Sequence, residues 1–128
     1  MLTHLINKAK SVMKDVSNLS ARSIKWPDAK KLHLSKFPTC AACGSTKNQQ
    51  VHHIKPFHLH PELELDPTNL ITLCMDNDCH LLVGHGDNFK AYNPMVQEDA
   101  AYVNLHQSAL HIVLKEVSEK AKKQRLFK

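Results

Sequence analysis

Apolar residues fall into short runs whose spacing changes along the chain, and each change marks an element. Over 3–19, Leu2, Leu5, Ile6, Ala9, Met13 and Val16 keep helical spacing while Lys8, Lys10 and Lys14 lie largely off that stripe, which predicts an N-terminal amphipathic helix. The pattern breaks over 20–27, and a second short helix is expected over 28–34, with Pro27 suited to its first turn. Two β-branched runs follow, Gln50-Val51-His52-His53-Ile54-Lys55-Pro56 and Asn69-Leu70-Ile71-Thr72-Leu73-Cys74. They predict two strands separated by a turn-rich, acidic loop over 61–69. Cys79-His80-Leu81-Leu82-Val83 begins a helix that Gly84 and Gly86 stop. Asn93-Pro94 then opens a long helix expected over 95–123, with Ala100, Val103, Ala109, Leu110, Val113 and Val117 mainly on one stripe. The expected class is α+β: two strands and a helix, flanked by helices on both sides.

Composition narrows the class. A chain of 128 residues with 42% apolar and 23% charged side chains reads as one ordinary globular domain. Its apolar runs are only a few residues long, too short for a transmembrane helix, and the early lysines interrupt any apolar leader. A cytoplasmic setting, in a bacterial or phage-infected cell, is therefore expected, with no membrane partner. In such a reducing compartment the four cysteines suggest metal rather than disulfides. With only four Phe, two Tyr and one Trp the core is thin, and a bound metal would help it hold together.

Charge divides the chain further. Residues 1–36 carry a balance of +6, residues 37–90 of −3, and residues 91–128 of +2. An acidic, Cys- and His-rich centre suits a site that collects cations, and basic flanks suit a polyanion lying over it; solvated helix faces would give the same balance. The expected organisation is an N-terminal helical basic segment over 1–36, a core over 37–92, and a C-terminal helix with a basic tail over 93–128, all in one compact domain.

Cys40-Ala41-Ala42-Cys43-Gly44 has the form of a zinc knuckle, in which a tight turn aims two sulfurs at one ion. Cys74 and Cys79 form a second, wider pair. Four thiolates around one Zn²⁺ would staple the start of the first strand to the start of the helix, and a closed site of that kind is structural. The histidines point elsewhere. On a strand His52 and His53 face opposite ways, so if one binds an ion the other is free for different work. Cys79 and His80 sit roughly 100° apart on a helix, so Cys79 can face the zinc while His80 faces the strands. One strand His and one helix His would converge on an ion with open positions, beside an unliganded His able to act as a general base.

Together, Cys40-x2-Cys43, Val51-His52-His53-Ile54-x-Pro56, Asn69-Leu70-Ile71-x-Leu73-Cys74 and Cys79-His80 resemble the HNH endonucleases of the ββα-metal nuclease superfamily. The closest likeness is to their four-cysteine branch and to small stand-alone phage and prophage proteins. The resemblance covers about 40–86 and extends weakly to Arg22-Ser23-x2-Trp26. It implies a ββα-metal core and metal-dependent hydrolysis of DNA phosphodiesters, by nicking or double-strand cleavage with weak sequence preference. His53 would be the general base. His52 and His80 would ligate a catalytic Mg²⁺, Mn²⁺ or similar divalent ion. Asn69 would hold the loop and orient the base as part of the catalytic set. Cys40, Cys43, Cys74 and Cys79 would carry the structural zinc. Some members place a third His one helical turn after the last; that place is Gly84 here, and His85 lies one residue late. On an α-helix His85 would point about 140° away from His80, yet its flanking glycines let it swing in as a further candidate ligand.

Lys55 beside the base strand, Arg22, and the tail residues Lys120, Lys122, Lys123 and Arg125 are candidate DNA contacts. A frayed terminus would explain the tail equally well. Phage packaging or other DNA-processing proteins are candidate partners, and the N-terminal stripe can pack on its own core or across a homodimer. The alternative function is a non-catalytic zinc module binding nucleic acid or protein; a nuclease directed at RNA would share the catalytic set. The zinc module accounts for the cysteines and basic flanks but gives no reason for His52-His53, Asn69 and His80 to occur together.

Overall fold

The computed structural model describes residues 21–128; the expected helix over 3–19 lies outside them. Helix α1 spans Trp26–Lys36, with Pro27 and Asp28 in its first turn and Lys36 in its last. Proline has no N–H to lose there, and both charges suit the helix dipole. The chain then turns through the Cys40–Cys43 knuckle. Gly44 takes φ +79°, a left-handed turn that carries the backbone back so that Cys40 N–H bonds Ser45 O at 2.8 Å.

Strands β1 (Gln49–His53) and β2 (Leu70–Cys74) pair antiparallel, with His52 opposite Ile71 and His53 opposite Leu70. The loop between them holds two short 3-10 turns, Pro61–Leu63 and Pro67–Asn69, each opened by proline. After β2 the helix expected from Cys79 onwards forms, but as a five-residue π turn over His80–Gly84 rather than an α-helix. His85 N–H reaches back to both His80 O (3.1 Å) and Leu81 O (3.2 Å), so one residue more than usual is wound into the turn.

The expected single helix over 95–123 is instead two: α2 (Val96–Leu105) and α3 (Leu110–Gln124), joined through a 3-10 turn at Gln107–Ala109. Unbroken, that segment would run about 40 Å and carry its second apolar stripe past the core. Folded at 104–108, whose residues are all exposed, both stripes reach one cluster. Val96, Ala100 and Val103 from α2 pack with Val113, Leu114 and Val117 from α3, around Leu73 of β2 and Val83 of the π turn. The same core takes in Cys40, Cys74 and Cys79. The chain closes with β4 (Leu126–Phe127) paired antiparallel to β3 (Ala91–Tyr92), a ribbon with no sequence expectation behind it. The architecture is α+β, two small antiparallel sheets among helices. No helix among the described residues is long and apolar enough to cross a membrane.

Candidate active site

Two clusters of potential metal ligands form at neighbouring places on this frame. In the first, the sulfurs of Cys40, Cys43, Cys74 and Cys79 all lie within 4.8 Å of one another. Backbone and side-chain N–H groups surround them: Cys43 N–H points to Cys40 Sγ (3.5 Å), Asn77 N–H to Cys74 Sγ (3.4 Å), and Asn77 Nδ2 to Cys43 Sγ (3.2 Å). Such donors suit sulfur that carries negative charge. Without a cation the four thiols oppose one another. The neighbouring Cys79 thiol holds Cys40 down to about 4 and is itself pushed far up, while burial pushes Cys74 up to about 11. Four buried sulfurs at such spacing fit one tetrahedral Zn²⁺, which would let all four ionise. The interval from Cys74 to Cys79 is accommodated by an exposed turn in which Asp78 takes φ +58°.

The second cluster is His52 from β1 with His80 and His85 from the π turn, whose ligand nitrogens also lie within 4.8 Å of one another. The wide turn explains how His85 joins. Residues five apart are stacked by an i→i+5 turn, and His80 and His85 are the pair it bonds, leaving their Nε2 atoms 3.1 Å apart. The angle that separates them on an α-helix therefore does not arise. His85 Nδ1 lies 2.7 Å from Ala91 O; a carbonyl only accepts, so Nδ1 carries the proton and Nε2 turns a lone pair to the cluster. Metal-ligating histidines are commonly held this way. His52 Nε2 and His80 Nδ1 are buried without any hydrogen-bond partner, each a penalty of about 1–3 kcal/mol. Burial is also the main cause lowering the basicity of all three rings, with the Lys128 ammonium adding to it in each case. Neutral imidazoles with unused lone pairs are what a divalent ion needs. Gly84 makes room for them: a Cβ there would meet Leu73 Cδ1 at 3.0 Å and the His52 ring at 3.2 Å.

Residues 40–86 match the family model of the HNH endonucleases. This part of the chain is similar to an HNH domain. The matched family is one of nucleases, and both metal clusters fall within the matched residues. No curated protein and no solved structure matches the chain.

Beside the histidine cluster stands His53. Its Nε2 lies 2.9 Å from Glu64 O and so donates there, which leaves the lone pair on Nδ1, 3.4 Å from Arg22 NH1. Trp26 of α1 stacks on the ring at 4.6 Å between centroids. Burial lowers the basicity of His53, against the pull of the Glu64 carbonyl, which favours a neutral ring. Arg22 is itself held between Phe57 (4.5 Å) and Trp26 (5.2 Å) and near the Glu64 carboxylate (3.9 Å).

A cleft of about 260 Å³ joins these groups, lined among others by His52, His53, His80, His85, Arg22 and Lys128. No described residue lining it is acidic. A larger hollow of about 410 Å³ lies between the Asp76–Asn77–Asp78 turn and α3, but it holds neither cluster.

The remaining expected site residues lie as follows. Asn69, expected to hold the loop and orient the base, is buried away from the cleft lining and bonds only the loop backbone. Its Oδ1 accepts from Lys55 N–H (2.8 Å) and its Nδ2 donates to Lys55 O (3.0 Å) and Leu63 O (3.3 Å). Leu63, which it holds, precedes Glu64, whose carbonyl accepts from His53. Lys55 is exposed. The tail is no free arm. Lys120 bonds the buried Asp99 carboxylate (2.6 Å), Lys122 lies between Glu119 (3.2 Å) and Asp87 (3.5 Å), and Arg125 donates to Gly86 O (2.7 Å). Lys123 remains exposed on α3.

Sequence reasoning missed Phe57 and Lys128 at the cleft, Glu64 beside His53 and Arg22, and Asn93 against the π turn. Asn93 is fully buried, donating through Nδ2 to Val83 O (2.9 Å) and through its backbone N–H to Gly84 O (2.9 Å). These are carbonyls at the end of the π turn. Its position after Tyr92 reads as a helix cap, which hid this second task.

Proposed function

We propose that the protein is a metal-dependent DNA endonuclease whose HNH domain hydrolyses phosphodiester bonds in this cleft. The observation that carries the reading is the meeting, in one cleft with no acidic residue in its lining, of three neutral imidazoles with a separate histidine whose Nδ1 carries a lone pair facing only Arg22. His52, His80 and His85 would hold Mg²⁺, Mn²⁺ or another divalent ion. When bound, that ion supplies charge stabilisation for the phosphorane and the departing 3′ oxygen. His53 takes the proton of the attacking water on Nδ1, and the Glu64 carbonyl fixes the tautomer and steadies the imidazolium that results. Arg22, beside Nδ1, is placed to receive a phosphate oxygen once substrate displaces it from the base. The four cysteines would hold a structural Zn²⁺. A polyanionic substrate such as DNA fits because a divalent ion with neutral ligands, in a cleft lined by cations and no acidic residue, needs an anion to balance it. Phosphate contacts rather than base contacts dominate such a cleft, so sequence preference should be weak. Reduced thiols fit a cytoplasmic setting.

Cleavage of supercoiled plasmid by the purified protein with Mg²⁺, Mn²⁺ or Ni²⁺, beside EDTA and His53→Ala, tests the reading. Ion-dependent nicking or linearisation is expected, falling about 10²- to 10⁴-fold in His53→Ala with zinc content unchanged. Activity undiminished in the variant would remove His53 from its role. Absence of cleavage with every ion would leave the zinc module as the better account.

A further inference from the structure

The C-terminal ribbon brings one more cation to the cleft, and it does so by a dedicated route. Arg125 anchors the turn into β4 on Gly86 O (2.7 Å), with its guanidinium over Phe127 at 5.4 Å. Gly86 takes φ +59°, and a Cβ there would meet Ala121 O and Arg125 Cβ at 3.1 Å, so glycine permits this close approach. β4 then pairs with β3, and Lys128 N–H bonds Lys90 O at 3.1 Å. The residue so delivered lines the same cleft as His52, His80, His85 and Arg22.

Lys128 has no acidic partner among the described residues, unlike Lys120 and Lys122 on α3. Its charge and that of Arg22 bear on each other, and no carboxylate lines the space they share. The one carboxylate near the pair is Glu64, which is buried, lies 3.9 Å from Arg22 and is off the cleft lining, so an anion entering the cleft is drawn by both cations.

We propose that Lys128 and Arg22 form a two-cation phosphate site at the cleft, in which Lys128 binds a phosphodiester group of the nucleic acid next to the metal-binding histidines. Taking the anion to be a phosphodiester rests on the nuclease reading of the same cleft. The β3–β4 ribbon then serves as a delivery arm for one lysine, while Lys120, Lys122 and Arg125 are engaged by partners elsewhere in the fold.

The test measures binding of a short DNA duplex to the zinc-loaded protein with no Mg²⁺ or Mn²⁺ added and zinc content verified, across a range of salt, for the parent, Lys128→Met, Lys128→Arg and Lys47→Met. Lys47 is exposed and off the cleft, and serves as a charge-matched control. Lys128→Met should weaken binding several-fold at low salt and lower the slope of log affinity against log salt by about one. Lys128→Arg should retain most of both, and Lys47→Met should leave the slope unchanged. Plasmid cleavage by the same proteins separates the two readings. A parent that cleaves, with Lys128→Met matching its affinity and slope, overturns the phosphate site and leaves the nuclease standing. A parent that binds but never cleaves, with a reduced slope in Lys128→Met, supports the phosphate site and overturns the nuclease. A parent that binds no DNA overturns both. Equal losses in Lys47→Met and Lys128→Met would mean diffuse attraction and overturn a local site.

Discussion

Cys79 and His80 are adjacent in the chain and belong to different clusters, so the two candidate metal centres can be compared across a single peptide bond. The cysteine cluster offers four sulfurs, enough to complete a tetrahedron, and three of its four residues are part of the buried core. The histidine cluster offers three nitrogens and opens on a cleft. Charge differs in the same sense: four thiolates would over-neutralise a divalent ion, whereas three neutral rings leave its full charge to act on whatever enters. Saturated and enclosed ligands make a staple; unsaturated ligands beside a cleft leave room for chemistry.

The contrast breaks most readily at the staple. Structural zinc supplies on the order of 10 kcal/mol in small domains, comparable to the whole stability of a domain this size. Cys79→Ser should therefore lose the zinc and, with it, the cooperative thermal transition; a variant melting like the parent would show that the sulfurs are ordinary core. At the open cluster the opposite pattern is expected. His85→Ala should lower Mn²⁺ or Ni²⁺ affinity at least about 10-fold, measured by titration calorimetry, while zinc content and melting change little. Unaltered affinity would mean that the π turn brings His85 close without making it a ligand. The smallest effect belongs to Asn69, which touches neither cluster. Asn69→Ala leaves buried loop groups unpaired and should lower stability by about 1–3 kcal/mol in denaturant melts. Ion affinity should not follow; a fall as large as that of His85→Ala would place Asn69 at the metal.

Much of the frame was legible in the sequence because short-range chemistry decides it. Pro27 starts α1, β-branched runs make both strands, and the knuckle needs a glycine in a left-handed turn at Gly44. The positions of His52, His53 and His80 followed from strand alternation and helix phase. What escaped depends on tertiary demand. An α-helical wheel cannot show that His85 stacks on His80, since the extra residue in the turn is held by Asn93, which binds the Val83 and Gly84 carbonyls from outside. The break between α2 and α3 did leave a trace, the polar run around His106 with no core-facing residue, but helical propensity there is ordinary and packing decides. Basic residues of the tail read alike in sequence, and only their partners separate Lys120 from Lys128.

The π turn also bears on how the spacing between ligands tolerates insertions and deletions. A helix usually ties count to angle, so gaining a residue rotates everything after it. Here five residues occupy what four would elsewhere, and the surplus is taken up in the girth of the turn rather than in a loop. Removing one residue between His80 and His85 would restore an ordinary turn with the two rings again one above the other. The distance between two ligands in a sequence is thus an elastic measure at this place, and a search that demands one fixed gap would overlook a chain that reaches the same geometry with another.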